Sequence, residues 1–164
     1  MKKIWIILLA IAVFSTACKK KSTGGEEQSA HFVVKDETGN TVPNNHTFTF
    51  QTVAPQGGVL NLSITNTSSS TIHLKTKLVS VSGASGQDME FCFGNCYVGM
   101  QQGTAYPQNG TFDLNGNATS QPGEVHYINH YANGQAEYTV EIYEVDNSGN
   151  RIGDAFTFKY QYTP

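Results

Sequence analysis

A few small groups of side chains in this sequence have the types and spacing that can do chemistry. Cys92 and Cys96 lie in Phe91-Cys92-Phe93-Gly94-Asn95-Cys96-Tyr97, where Gly94 and Asn95 can supply the tight turn that brings the sulfurs together. In an oxidising compartment the pair reads as a short local disulfide. A metal is the competing reading, but two cysteines lacking a second nearby pair are half a zinc site at most. His126 and His130 are the only closely spaced histidines. On a helix they would share a face, but four residues of strand span about 13 Å at about 3.3 Å each, so one ion cannot join them and ordinary strand histidines are expected. Asp146-Asn147-Ser148-Gly149-Asn150-Arg151-Ile152-Gly153-Asp154 offers oxygen ligands at alternate positions. Its first glycine comes at the fourth position, whereas a calcium loop wants one at the sixth, and a polar hairpin turn explains the same residues. Tyr97, Tyr106, Tyr127 and Tyr131 can be read as an aromatic platform for sugar rings or, more simply, as core and hairpin packing; no tryptophan follows Trp5 to help such a platform.

The familiar routes to an enzyme are missing. There is no Gly-x-Ser-x-Gly elbow, His-Glu-x-x-His helix, phosphate-binding glycine loop or Cys-x-x-Cys, and the carboxylates are spread singly over strands and turns. Neither a cofactor nor a metal is expected, and an enzyme is the least expected class.

The elements that must position these residues are strands. From residue 31 onward, apolar residues alternate with polar ones and are punctuated by Gly, Asn, Pro and Ser, the mark of half-buried antiparallel strands. Leu60, Leu62 and Ile64 share one face against Asn61, Ser63 and Thr65, and Ile72, Leu74 and Leu78 share one against His73, Lys75 and Lys77. The phase slips at Leu78-Val79, which predicts a bulge or a strand changing sheets. Phe156, Phe158, Tyr160 and Tyr162 fall on one face of the last strand, and Asn133-Gly134 is the best hairpin turn. No helical stripe occurs. Residues 31–164 are enough for one domain with a real core, since chains of about 150 residues bury nearly 70% of their unfolded surface. The pattern yields eight or nine short strands at sandwich-like spacing. Residues 82–87 and 99–109 read as polar loops. Asn-x-Ser/Thr triplets begin at Asn45, Asn61, Asn66, Asn109 and Asn117, as a Thr- and Asn-rich composition produces by itself.

The front of the chain is of another kind. Lys2 and Lys3 precede an apolar run over residues 4–14, and Ser15-Thr16-Ala17 places small residues before Cys18. This is the layout of a secretory signal peptide, too short for a spanning helix of about 20 residues. The cysteine after small residues resembles the lipobox of bacterial lipoproteins, which implies cleavage after residue 17 and acylation of Cys18 as the first mature residue. A plain signal peptide cleaved near Ala17, with Cys18 a free thiol, is the alternative. Residues 18–30 then form a polar tether, whose Lys19, Lys20 and Lys21 can lie against anionic headgroups or simply be solvated. Losing Lys2 and Lys3 leaves eight basic residues against thirteen acids, so nucleic acid is not an expected partner.

The order of motifs after residue 58 resembles a domain found repeatedly in exported Bacteroidetes proteins, often beside type IX secretion signals, with an immunoglobulin-like or abnormal-spindle-like sandwich. The likeness is carried by Leu60-Asn61-Leu62-Ser63-Ile64-Thr65-Asn66-Thr67-Ser68, by the paired-cysteine loop ending in Tyr97, and by Gln121-Pro122-Gly123-Glu124 followed by the strand at 125–131, Asn133-Gly134 and the strand at 136–143. The tryptophan usual ahead of the cysteines in that family is absent here. The resemblance implies an all-β fold, a single immunoglobulin-like antiparallel β-sandwich, placement outside the cytoplasm, and a structural or binding role. The expectation is therefore a lipid-anchored envelope protein of the outer membrane, on its surface or periplasmic face. It would be held by lipid at Cys18, with residues 82–87 and 92–109 presenting the variable surface and Tyr97, Met100 and Tyr106 as contact residues for a protein or glycan. A carbohydrate-binding accessory lipoprotein and a periplasmic scaffold component are the alternatives.

Overall fold

The computed structural model describes residues 31–130 and 133–164; Cys18, the leader and tether, and Tyr131 lie outside the described residues. Two sheets face one another. One has the order β1 (Phe32–Asp36), β3 (Val59–Asn66), β9 (Val125–Asn129), β5 (Met89–Phe93), β6 (Asn95–Val98). The other runs β2 (His46–Phe50), β11 (Arg151–Tyr162), β10 (Ala136–Val145), β4 (Ile72–Ser82), β7 (Ala105–Tyr106), with β8 (Phe112–Leu114) also on β4. The chain is an immunoglobulin-like β-sandwich. Two strands exceed the expected number, β6 and β7, whose four and two residues are too short for periodicity to register.

Alternation decides which side chains meet between the sheets. Leu60, Leu62 and Ile64 from β3, Phe91 and Phe93 from β5, Val125 and Tyr127 from β9, and Phe156, Phe158, Tyr160 and Tyr162 from β11 are all buried in one cluster. Its middle is aromatic. Phe91 stacks on Tyr127 at 6.0 Å between centroids, and Tyr127 meets Phe158 edge-on at 5.0 Å, so ring contacts run from one sheet to the other.

The predicted slip at Leu78-Val79 is a bulge. Thr139 pairs with Ser80 and Val140 with Leu78, which leaves Val79 as the extra residue. Two expectations are corrected. Asn133-Gly134 does not close a hairpin, because β9 and β10 belong to different sheets. One pairing is parallel rather than antiparallel: β2 lies along β11, with Phe48 opposite Tyr160. These strands are so far apart in sequence that no tight turn dictates their sense.

Asn66, buried at the end of β3, fastens three segments. Its Nδ2 donates to the carbonyls of Ser70, Leu114 and Asn115 at 2.7, 3.0 and 3.0 Å, while its Oδ1 accepts from the N–H and hydroxyl of Ser68. The Asn-x-Ser triplet that begins here is therefore structural.

Candidate functional site

The cysteines do what their spacing predicts. Cys92 and Cys96 are directly opposed across β5 and β6, their Cα atoms 4.0 Å apart, and they form a disulfide. Gly94 at the apex takes φ +72°, which glycine adopts without strain. Tyr97 is half-buried, stacked on Phe91 at 5.1 Å.

Met100 and Tyr106 are corrected from contact residues to core. Met100 is 0% exposed and its N–H donates to Gly86 at 2.8 Å. Tyr106 packs edge-on against Phe91 at 5.0 Å, and its hydroxyl accepts from the Gln101 N–H at 3.1 Å. With residue 103 bonded to Leu78 and the Lys75 ammonium on the Pro107 carbonyl at 2.8 Å, the segment folds inward against β4 instead of standing out. Tyr127 is buried too, so Tyr106 and Tyr127 line the core and present no ring face to a sugar.

The histidines are spent singly. His31 Nδ1 lies 2.9 Å from Glu144, His73 Nδ1 2.8 Å from Asp113, and His130 Nε2 2.7 Å from Glu90. His126 Nδ1 donates to the Gly123 carbonyl at 2.9 Å. His126 and His130 reach different partners, as strand spacing requires. Among the described residues no three His, Cys, Asp or Glu side chains gather closely enough to hold a metal ion.

The Asp146 segment is a hairpin turn. Asp146 Oδ1 accepts from the N–H groups of Ser148 and Asn150, and the Asp146 N–H donates to the Asn150 carbonyl. Hydrogen bonds, first from the Asn150 backbone, hold its carboxyl below the ordinary value. The same turn occurs a second time: Asp36 Oδ1 accepts from Thr38 and Asn40, and the Asp36 N–H donates to the Asn40 carbonyl. Asp36-Glu37-Thr38-Gly39-Asn40 and Asp146-Asn147-Ser148-Gly149-Asn150 share Asp-x-Thr/Ser-Gly-Asn, a repeat visible in the sequence that single-segment reading passes over.

Three grooves adjoin the residues described above. In a groove of about 380 Å³ beside His73, Asp113 and Asp146, Asp113 already takes bonds from both His73 and Thr111, and Asp146 from its own turn. A groove of about 560 Å³ runs from the first Asp turn over Asn61 and Ser63 to Thr119 and Pro122. A slot of about 210 Å³ adjoins it through Asp36, Glu37 and Asn61 and continues onto Phe48, Phe50 and Val59. This slot is the seam where the β1 side of one sheet faces β2 of the other. Phe50 stacks on Tyr160 at 4.5 Å and Phe48 meets Phe158 edge-on at 6.1 Å, yet both phenylalanines are only half-buried. Sequence reading assigned them to a strand face and gave no sign that the face is left partly uncovered.

No family model matches the chain, and no curated protein does. Among solved structures it is similar to the N-terminal domain of PorA, at 15% identity and TM-score 0.51 over 80% of this chain and 96% of that one. It is also similar to WR4, a C. elegans member of the MSP family, at 13% identity and TM-score 0.36 over 69% and 88%. A third is the seventh PapD-like domain of human CEP192, at 11% identity and TM-score 0.39 over 99% and 96%. The likeness to PorA is one of fold.

Proposed function

We propose that this chain is a lipid-anchored protein of the cell envelope whose sandwich is a non-catalytic binding or structural module. The observation that carries the reading is the Cys92–Cys96 bridge. It takes up both cysteines of the sandwich and leaves Cys18, at the end of the signal-like leader, as the third. A cysteine in that position is the acceptor of a lipid anchor, and one acyl chain needs a second chain or a basic patch for stable attachment. Lys19, Lys20 and Lys21 follow it directly. Support for a non-catalytic role comes from the histidines. His31, His73 and His130 each lie against a carboxylate, while His46 lies edge-on to Phe48 at 4.6 Å.

The test is metabolic labelling with a fatty-acid analogue in cells making the wild-type chain or Cys18→Ser. Label on the wild type alone, with the variant released to the soluble fraction, supports the anchor. An unlabelled wild type would refute it. Protease treatment of intact against lysed cells then assigns the domain to the outer surface or the periplasmic face.

A further inference from the structure

The seam beside β2 leaves three kinds of recognition open together among the described residues. The first is backbone. The Thr163 N–H donates to the Phe50 carbonyl at 2.8 Å, which sets the phase of the parallel β2–β11 ladder. Alternate residues of such a ladder bond to the neighbour, so His46, Phe48 and Phe50 turn their backbone groups to β11. Thr47 and Thr49 turn theirs to the free edge.

Natural sheets guard such edges with charge, proline, a bulge or a cover. The edge of β1 is covered: Lys35 pairs with Thr41, and the Val42 N–H donates to Val34. β7 and β8 are two and three residues long, and β6 is short and clamped by the disulfide. Among the described residues, His46-Thr47-Phe48-Thr49-Phe50 has no proline, no bulge and no covering segment, and His46 is its one ionisable side chain.

The second is apolar surface. Phe48 and Phe50 are half-buried at the slot, and Val59 beside them is 40% exposed. A volume of about 210 Å³ is smaller than the roughly 300 Å³ at which small-molecule sites begin, and it suits one or two side chains. The third is charge. Glu37 lines the slot with no hydrogen-bond or ionic partner among the described residues, next to Asp36, whose carboxyl is held ionised by the bond from the Thr38 hydroxyl. Among the described residues, four of the five lysines and arginines are already engaged: Lys77 and Arg151 on Glu141, Lys159 on Glu137, and Lys75 on a carbonyl.

We infer that β2 and the adjoining seam bind an extended segment of another protein, which adds as a strand to the Thr47–Thr49 edge, lays an apolar side chain over Phe48 and Phe50, and brings a lysine or arginine to Glu37. Main-chain bonds give such strand addition its affinity and the pockets for alternate side chains give its specificity. This inference rests on the binding-module reading above and deepens it.

The test uses the full chain extracted in mild detergent and two synthetic ten-residue peptides, one alternating lysine with valine and one alternating glutamate with valine. Binding is followed by calorimetry and by amide hydrogen exchange. The lysine peptide should bind at least about tenfold more tightly than the glutamate peptide, and the exchange of residues 46–50 should slow when it does. Thr47→Pro and Thr49→Pro each remove an outward N–H without touching the ladder to β11. Each should weaken binding about tenfold, the worth of about one hydrogen bond, with the melting temperature little changed. Glu37→Gln should narrow the gap between the two peptides. Equal binding of both peptides, or protection outside β2, would overturn the inference. So would a dimer formed through β2 without peptide, which would make a second copy the occupant. These failures leave the anchor standing, since the lipid label reads Cys18 and not the seam.

Discussion

The phenol of Tyr127 on β9 lies 2.8 Å from the hydroxyl of Thr76 on β4, joining the two sheets through the centre of the sandwich. Both residues are 0% exposed. Thr76 gives its one proton to the Glu141 carbonyl at 3.0 Å, so Tyr127 must be the donor and Thr76 the acceptor between them. This ordering has unequal consequences. Tyr127→Phe removes a donor and leaves Thr76 bonded to Glu141, a loss of about 1 kcal/mol. Thr76→Val strands the buried phenol and should cost more, about 2–3 kcal/mol. Urea denaturation of the two variants checks the order; equal costs would contradict the assignment.

The buried tyrosines also make the fold sensitive to alkali. Burial pushes Tyr160, whose hydroxyl donates to the Gly58 carbonyl, from 10.0 up to about 12, and raises Tyr127 and Tyr138 as well. A group whose pKa is raised by folding contributes stability in full below its unfolded value and loses it as pH rises through the folded one. Stability should therefore hold to about pH 10 and fall between about 10 and about 12. Melting curves by circular dichroism over that window are the measurement. Tyr160→Phe should make the decline shallower.

The two Asp turns act at the other end of the pH scale. Bonds led by the Thr38 hydroxyl lower the pKa of Asp36 from 3.8, and bonds led by the Asn150 backbone lower that of Asp146. A depressed pKa contributes stability above the unfolded value, and that contribution is lost as pH falls through the folded one. The melting temperature should drop as pH falls below 3.8, and Asp36→Asn with Asp146→Asn, which keep the accepting oxygen, should flatten the drop. A scan from pH 5 to about pH 2 would show it.

Asn66→Ala removes three donated and two accepted bonds at one buried point. With carbonyls left unpaired at about 1–3 kcal/mol each when buried, the variant should lose about 3 kcal/mol or more. Faster amide exchange should appear over residues 67–70 and 115–120, since Asn66 holds both segments to β3. A loss below about 1 kcal/mol would mean that water replaces the amide.

The disulfide restrains little chain. Its cysteines are separated by only four positions, which puts its stabilisation at the low end of the usual range of about 0–5 kcal/mol. Cys96→Ser, at the exposed end, should cost about 1 kcal/mol. The effect should be confined to faster exchange in residues 93–98, because Tyr97 stacked on Phe91 still holds β6. A fall in melting temperature like that of a lost core residue would refute this.

What the sequence determined by itself is whatever depends on neighbours along the chain. Period-two alternation picked out the inward faces of β3, β4 and β11, because a pleated strand sends successive side chains to opposite sides. The broken phase at Leu78-Val79 marked the bulge, and Gly94-Asn95 marked the turn that closes the disulfide. The repeated Asp-x-Thr/Ser-Gly-Asn motif was equally legible, since an Asp side chain capping the backbone a few residues on is a local act. Tertiary structure decided what depends on partners far away. Met100 and Tyr106 are polar-loop residues by composition, but become core because Phe91 and the Gly86 carbonyl lie within reach. Asn133-Gly134 has hairpin chemistry, yet the strands around it join different sheets. β2 reads as an ordinary strand, and only the placement of β11 on one side and of the Asp36 turn across the seam leaves its other edge open. Each of these outcomes turns on a contact between segments distant in sequence, and local periodicity carries no information about which of them will meet.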